Sequence, residues 1–228
     1  MVYYIYDRWS IFIFQFYILF RSVILIAMGK AEENKKKKYE SLLNTAFELF
    51  INKGIDNTSI SDIVDHAGVA KGTFYLYFKD KYDIRSRLIV HRASRLFVEA
   101  HDAMSREDLA DFADKLIFIA EYILDRLSEN KGLLAVLYKD LSWAVFKKDL
   151  TSRSYEYEID FYEDVYRKLI LDSGIKFREP EIMLSMIVEL TGSAGYSSIM
   201  YDEPVPLEKL KPYLADAIRA IIELHTVK

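Results

Sequence analysis

The residues with the clearest chemical pattern lie between Thr58 and Asp83. Hydroxyl, amine and aromatic side chains occupy the outward positions of a short helix, which the spacing predicts from Ala70 or Lys71 to about Phe78. Such groups bind phosphate oxygens and reach base edges in the major groove of DNA. The candidates for phosphate contact or anchoring are Thr58, Ser59, Lys71, Gly72, Tyr77 and Lys81. The candidates for contact with base edges or thymine methyl groups are Thr73, Tyr75 and Leu76.

Two short helices and the turn between them would position these side chains. Ser59, with Asp62 three residues later, is typical of a capping box at a helix start. Apolar residues then follow at helical spacing, namely Ile60, Ile63, Val64 and Ala67. Gly68 supplies a left-handed residue that ends this first helix. Phe74 and Phe78, four residues apart, would face inward from the second helix, which completes the layout of a helix-turn-helix.

The segment from Leu43 to Asp83 resembles the DNA-binding domain of the TetR (tetracycline-repressor-like) family. The matching residues are Ala46-Phe47, Phe50, Gly54, Thr58-Ser59, Ile63, Ala67-Gly68-Val69, Lys71-Gly72-Thr73-Phe74-Tyr75 and Tyr77-Phe78-Lys79-Asp80-Lys81. The rest of the chain matches only in size and helical character. The resemblance implies a homodimer whose recognition helices enter successive major grooves of a near-palindromic DNA operator. It also implies an effector pocket in the second domain, and hence a ligand-responsive transcriptional regulator, which we expect to be a repressor.

Charge is distributed unevenly along the 228 residues, whose net charge is −4. Residues 30–81 carry nine Lys and eight Asp or Glu, which gives a charge of +1, and residues 82–228 carry a charge of −6. The excess of acid therefore lies in the part that is not expected to meet DNA. The absence of cysteine excludes disulfides, thiolate catalysis and zinc-thiolate sites. It is compatible with a reducing cytoplasm, where we expect the protein to reside.

The hydrophobic periodicity after residue 35 predicts nine helices and no strand, so the expected fold is all-α. Three regions are expected: an apolar extension over residues 1–29, a three-helix DNA-binding domain over residues 30–81, and a helical effector-binding and dimerisation domain over residues 82–228. A long fourth helix, from residue 79 or 80 to about residue 103, would join the two domains. Effector binding would bias this helix between two positions. Ser105, with Asp108 three residues later, predicts the start of the fifth helix.

Residues suited to catalysis or metal binding show no recognised arrangement. The four histidines lack the spacing of metal ligands, and the sequence has no glycine-rich phosphate loop or nucleophile elbow. Acidic residues between Glu156 and Asp164 are interpreted as the solvated face of a helix. We therefore expect no catalytic residue, no metal and no cofactor. An all-helical enzyme with a tyrosine-rich cavity stays open as an alternative.

Aromatic residues are frequent in the predicted helices five to eight. Buried tyrosine hydroxyls need partners, and a core with many polar tips is easier to build around a cavity that holds a ligand or water. The candidate effector-binding residues are Phe118, Tyr122, Tyr138, Trp143, Tyr155, Tyr162 and Tyr166. The expected effector is a small hydrophobic or aromatic molecule. Plain core packing is the competing interpretation, which we expect to hold for about half of the aromatic residues.

The last two predicted helices carry a pattern that favours contact between two subunits. The ninth repeats apolar residues at three- and four-residue steps, and the eighth places large apolar residues beside the small residues 192–195. Small residues let helices approach closely, which suits a four-helix interface. The candidate dimer contacts are Met186, Leu190, Ala194, Leu214, Ala217 and Ile221. Burial within one chain is the competing interpretation for half of these positions.

The first 29 residues allow two interpretations. The stretch from Trp9 to Phe20 is uncharged and mostly apolar, so hydropathy alone does not exclude a membrane span. Met28 opens a segment that resembles an ordinary start for this family, and translation from Met28 is the favoured interpretation. A regulator tethered to a membrane through residues 9–29 is the alternative. The absence of a small-residue cleavage site argues against a secretory signal.

Overall fold

The computed structural model describes residues 30, 32–138 and 165–227. Within these ranges the chain forms nine helices, and its one strand-like contact is an isolated antiparallel bridge between Phe177 and Thr226. The helices are α1 (residues 32–53), α2 (Ile60–Ala67), α3 (Lys71–Tyr77), α4 (Lys81–Met104), α5 (Phe112–Glu129), α6 (Lys131–Tyr138), α7 (Arg167–Ser173), α8 (Pro180–Tyr201) and α9 (Leu207–His225). The expected all-α fold is confirmed.

Helices α1 to α3 and the first two turns of α4 share one hydrophobic core, and we call this unit the N-terminal head (residues 32–88). Its buried side chains come from all four helices and include Leu42, Leu43, Ala46, Phe47, Phe50, Ile63, Val64, Phe74, Phe78, Ile84 and Leu88. Phe74 and Phe78 are buried, as their four-residue spacing predicts. Because Ile84 and Leu88 belong to this core, its packing extends past residue 81 into α4.

Helices α4 to α9 form the rest of the described protein, and two further clusters of apolar side chains hold them together. Helices α8 and α9 pack against each other, and α5 contacts both of them. Two charged residues of α9 form ion pairs with acidic residues of α5. Lys211 lies 2.6 Å from an Asp125 carboxylate oxygen, and Arg219 pairs with Asp114.

The head contacts the remaining helices through α4 and α6. Arg92 of α4 donates a hydrogen bond to the Asn44 side chain of α1, with 2.9 Å between the atoms, and its guanidinium lies 4.5 Å from the centre of the Phe47 ring. Leu133 and Val136 of α6 pack against the core of the head. Helix α6 is therefore in direct contact with the N-terminal head.

The start of α5 differs from its sequence prediction. Asp111 caps this helix by accepting hydrogen bonds from the backbone N–H groups of Ala113 and Asp114. Ser105 instead closes α4, where its hydroxyl donates to the carbonyl of Asp102. The prediction was wrong because a hydroxyl residue followed by an acidic residue three positions later also occurs just after the end of a helix. There the hydroxyl donates to a backbone carbonyl of the preceding turn.

The described helices differ from membrane-spanning segments in length or in apolar character. None of those within residues 30–138 or 165–227 is long and apolar enough to cross a membrane. Residues 1–29 lie outside the described part of the chain, and both interpretations of that segment stay predictions.

Candidate functional site

The turn before α2 has the capping-box geometry that its sequence predicts. The Ser59 hydroxyl oxygen accepts from the Asp62 backbone N–H at 3.1 Å, and an Asp62 carboxylate oxygen accepts from the Ser59 backbone N–H at 2.8 Å. The backbone N–H of Ser59, and after it the Ser59 hydroxyl, lowers the pKa of the Asp62 carboxyl. Gly68 ends α2 in the left-handed region, with a φ of 67°. The exposed Ser59 therefore lies at a rigid helix start.

Helix α3 presents an exposed surface that its buried face holds in place. Phe74 and Phe78 anchor the helix in the core of the head. Tyr75 is 54% exposed and Leu76 is 79% exposed, although both have large apolar groups. The other predicted contact residues of this helix lie on the same short segment, since Lys71 and Gly72 are exposed and Thr73 is half-buried. This combination of amine, hydroxyl and apolar groups is suited to the edges of DNA bases and their phosphates.

Thr58 does not belong to this surface. It is 1% exposed, and its hydroxyl donates a hydrogen bond to the carbonyl of Gly54, with 2.8 Å between the oxygens. The predicted phosphate contact of the Thr58 side chain is therefore wrong, because its hydroxyl already closes the turn between α1 and α2.

Lys81 also has an internal role. Its ammonium nitrogen lies 3.0 Å from the carbonyl oxygen of Ile55, 3.2 Å from that of Asp56 and 3.4 Å from that of Thr58. An ammonium group has three hydrogens, and these three carbonyls use all of them. The prediction that Lys81 anchors phosphate is corrected accordingly, and the side chain fixes the loop before α2 instead.

Tyr77 links α3 to the first helix. Its hydroxyl donates to the backbone carbonyl of Lys35 at 3.3 Å, and its ring lies edge-on to Tyr39 with 5.9 Å between ring centres. The hydroxyl oxygen keeps lone pairs with which it can accept a further hydrogen bond. Its predicted anchoring of the DNA backbone stays a prediction.

Lysine side chains surround this surface with different degrees of pairing. Lys71 and Lys79 are exposed, and no ion pair of theirs occurs among the described residues. In the lysine run of α1, Lys35 pairs with Glu32 at 3.2 Å and Lys37 with Glu33 at 2.6 Å. Exposed pairs of this kind contribute little to stability, so a phosphate group can replace the carboxylate.

A cavity of about 400 Å³ lies between α4, α5, α6 and α8. Most of its lining is aliphatic, including Leu96, Leu116, Ile119, Leu127, Leu137 and Ile187. The polar residues of its described lining all come from α8, and they are Glu189, Thr191, Ser193 and Tyr196. The volume falls within the usual range of small-molecule sites.

The predicted aromatic residues that the structure describes do not line this cavity. Tyr166 is fully buried and its hydroxyl donates to the carbonyl of Pro180 at 2.8 Å, so it needs no ligand. Phe118 and Tyr122 stack on each other, and the Tyr122 hydroxyl accepts from Arg126. These three assignments to the cavity are corrected, since none of the three residues belongs to its lining and the hydroxyls of Tyr122 and Tyr166 each have a protein partner. The other four predicted residues fall outside what the structure describes, namely the Tyr138 side chain, Trp143, Tyr155 and Tyr162.

Helices α8 and α9 each carry an exposed row of apolar residues. The row of α8 contains Ile182 and Met186, both 47% exposed. The row of α9 follows helical spacing and contains the exposed Tyr213, Ala220 and Leu224 together with the half-buried Ala217. Met186 and Ala217 of the predicted dimer contacts lie on these rows.

The other predicted dimer contacts face the interior of the chain. Leu214 is buried, and Ile221 packs against a core cluster. Leu190 and Ala194 are half-buried against another cluster. The assignment of Leu214 to an intersubunit contact is wrong, because the same chain already buries it.

The described part of the chain holds no cluster of potential metal ligands. Among its residues, no three His, Asp or Glu side chains are placed to hold a metal ion together.

The helical architecture and the exposed α3 that follows a glycine turn define a helix-turn-helix protein. Residues 42–88 match the profile of bacterial regulatory proteins of the tetR family. The HTH-type transcriptional regulator YvdT of Bacillus subtilis (strain 168), itself described as uncharacterized, is 30% identical over 180 residues, which cover 75% of this chain and 89% of that protein. The chain belongs to the TetR family of transcriptional regulators.

Solved structures share the same fold. The fatty acid degradation regulator FadR from Bacillus halodurans superposes with a TM-score of 0.57 at 20% identity, covering 79% of this chain and 97% of that chain. The regulator FadR from Bacillus subtilis, solved in complex with stearoyl-CoA, superposes with a TM-score of 0.55 at 19% identity and the same coverage. At these identities the likeness establishes the fold alone.

Proposed function

We propose that this transcriptional regulator is a homodimeric repressor, which reads a near-palindromic operator through α3 and leaves the operator when a small apolar effector fills the cavity. The observation that carries the proposal is the exposed pair Tyr75 and Leu76 beside Lys71. Buried phenylalanines hold this helix rigid, so its two large, exposed side chains stay in contact with water. That contact is unfavourable for their apolar groups. They are a good surface for thymine methyl groups and base edges.

A dimer is part of the proposal because one head reads only a half-site. Recognition helices of two subunits reach half-sites about one helical turn, roughly 34–36 Å, apart. The exposed apolar rows of α8 and α9 support dimerisation, since contact with a second copy would cover Met186, Tyr213 and Leu224.

Helix α4 connects the cavity with the head, so it can couple effector binding to operator binding. Helix α4 lines the cavity with Ala93, Leu96 and Phe97, and the same helix contributes Ile84 and Leu88 to the head. A ligand that changes the position of α4 therefore changes the orientation of the head. The separation of the two heads, and with it the affinity for DNA, would then depend on occupancy of the cavity.

Selection of bound duplexes from a random DNA pool tests the proposal. We expect a near-palindromic motif to be enriched, and its affinity to fall steeply with salt as phosphate contacts release counterions. A Leu76→Ala variant, which keeps every lysine, should enrich a less defined motif. If the wild-type protein enriches no sequence, the proposed function is wrong.

A further inference from the structure

The walls of the cavity favour a flexible alkyl chain over a planar ring. Leucine, isoleucine, valine and alanine side chains make up most of the lining, and the rings in its described part are those of Phe97 and Tyr196. Aliphatic walls give dispersion contacts to any apolar group, but they offer few ring faces for stacking. A chain of methylene groups can follow such a cavity, and each buried methylene raises affinity about fourfold.

Thr191 adds a polar requirement to this apolar cavity. It is 92% buried, given that 8% of its surface is exposed, and it lines the cavity in the middle of α8. Its hydroxyl has no hydrogen-bond partner within the described structure. A threonine inside a helix commonly returns its hydroxyl to a backbone carbonyl of the preceding turn, and Thr191 does not. A buried hydroxyl without a partner is unfavourable, so a ligand atom that bonds to it gains affinity.

We infer that the cavity binds a ligand with an alkyl chain and one uncharged hydrogen-bonding headgroup, and that the headgroup bonds to the Thr191 hydroxyl. Thr191 is the one buried polar residue of the described lining, because Glu189 and Ser193 are exposed and Tyr196 is half-buried. The headgroup that it binds is uncharged, since a single buried hydroxyl does not replace the water that an ion would lose. This inference rests on the proposed function, since it names the chemical class of the effector.

Calorimetric titration of the full chain with 1-octanol and with octane tests the inference. These probes have the same chain and differ in the hydroxyl. We expect 1-octanol to bind about five- to tenfold more tightly than octane, because it alone completes the hydrogen bond. Thr191→Val keeps the shape of the side chain and removes the hydroxyl. In this variant the preference for 1-octanol should vanish and the affinity for octane should stay unchanged.

Ser94→Ala is the matched control. Ser94 of α4 is the other buried aliphatic hydroxyl for which the described structure shows no hydrogen-bond partner, and it does not line the cavity. Its removal should leave the preference for 1-octanol intact. Folding of both variants is checked by their melting temperatures, which should hold or rise because each substitution removes an unsatisfied buried group.

Several outcomes would overturn the inference. They are no binding of 1-octanol near its solubility limit, an equal preference in wild type and Thr191→Val, tighter binding of octanoate than of 1-octanol, and tighter binding of naphthalene than of 1-octanol. All titrations are made without DNA. A failed operator selection would therefore disprove the proposed function and leave these affinities as they are, whereas failed titrations would leave operator recognition standing.

Discussion

At the scale of single residues, we expect the surface of α3 to divide into side chains that attract phosphate and side chains that distinguish bases. Lys71→Ala should weaken binding to all duplexes and reduce the slope of log affinity against log salt by about 1, because one phosphate contact is lost. Leu76→Ala or Tyr75→Ala should mainly relax sequence preference, on the order of 1–3 kcal/mol each. Fluorescence anisotropy with operator and scrambled duplexes measures both effects. Equal losses on the two duplexes for all three variants would contradict the division.

Gly72 has no structural reason of its own to be glycine. A methyl group added there would meet no atom within 4 Å. Gly72→Ala should stabilise the free protein by about 0.5–1 kcal/mol, since alanine favours the helix. It should nevertheless weaken operator binding, because the added methyl group separates α3 from the DNA backbone. Thermal unfolding and anisotropy measure the two effects.

The matched control for this change is Gly192→Ala in α8, where an added methyl group also has open space. It should give a similar gain in stability without loss of operator affinity. Unchanged operator affinity in Gly72→Ala would show that DNA does not approach α3 closely at this point.

Lys81 should act through stability. Lys81→Met leaves three loop carbonyls without their donor, and we expect the free energy of unfolding to fall by about 1–3 kcal/mol. Lys79→Met, which removes an exposed charge two residues away, should change it by less than about 0.5 kcal/mol. Denaturant titration distinguishes the two. Equal stability of both variants would restore Lys81 to the DNA-contacting set.

The capping box of Ser59 with Asp62 and the burial of Phe74 and Phe78 could be predicted, because those roles depend on spacing within one helix. The roles of Thr58 and Lys81 could not. Their partners are backbone carbonyls of a loop. Every residue has a backbone carbonyl, so the sequence pattern does not show which carbonyl a side chain will reach.

At the scale of helices, one close approach of α8 to α5 occurs at Gly195. A methyl group at this position would lie 2.2 Å from a methyl carbon of Leu124, which lines the cavity. Gly195→Ala should therefore force Leu124 toward the cavity, lower stability by about 1–3 kcal/mol and reduce ligand affinity. Gly72→Ala, which adds a methyl group in open space on α3 and does not line the cavity, is the control. Unfolding and ligand titration that show no difference between the two variants would contradict this contact.

The residues that line the cavity could not be predicted from the sequence for a related reason. Aromatic residues are frequent in these helices, yet each helix has several faces, and frequency does not reveal which face points to the cavity. Tyr166 finds its one partner in the Pro180 carbonyl, and Phe118 stacks on Tyr122 outside the lining. Aliphatic residues, which are also typical of plain core, line the cavity instead.

At the scale of the whole molecule, the exposed row of α9 should decide the oligomeric state. Leu224 is 65% exposed in one chain, and a dimer that covers this row would bury it. Leu224→Glu would then place unpaired carboxylates in the interface and weaken dimerisation by about 3–5 kcal/mol. Leu171→Glu is the control, because Leu171 is 72% exposed on α7 and belongs to neither row. Sedimentation should show monomers for Leu224→Glu alone, and a monomeric wild type at micromolar concentration would disprove the dimer.

The sequence predicted that α8 and α9 carry apolar stripes, but it named Leu214 where the structure exposes Tyr213 and Leu224. Helix α9 has apolar residues on two faces, both at helical spacing. One face completes the core of its own chain through Leu214 and Ile218, and periodicity alone does not distinguish that face from one that meets a second copy.

The contact of α6 and α4 with the head sets a rule for building hybrid regulators. A recognition unit cut at residue 81 would leave Ile84 and Leu88 behind, although its core packs on both. It would also lose the close contact of Ile51 with Gly132 of this protein's α6, where an added methyl group would lie 3.1 Å from an Ile51 methyl carbon. A transplant that keeps its response to ligand must therefore carry the chain through Leu88 and bring matching residues at the start of α6. The exchangeable part of this protein is defined by its packing and not by the end of its DNA-binding motif.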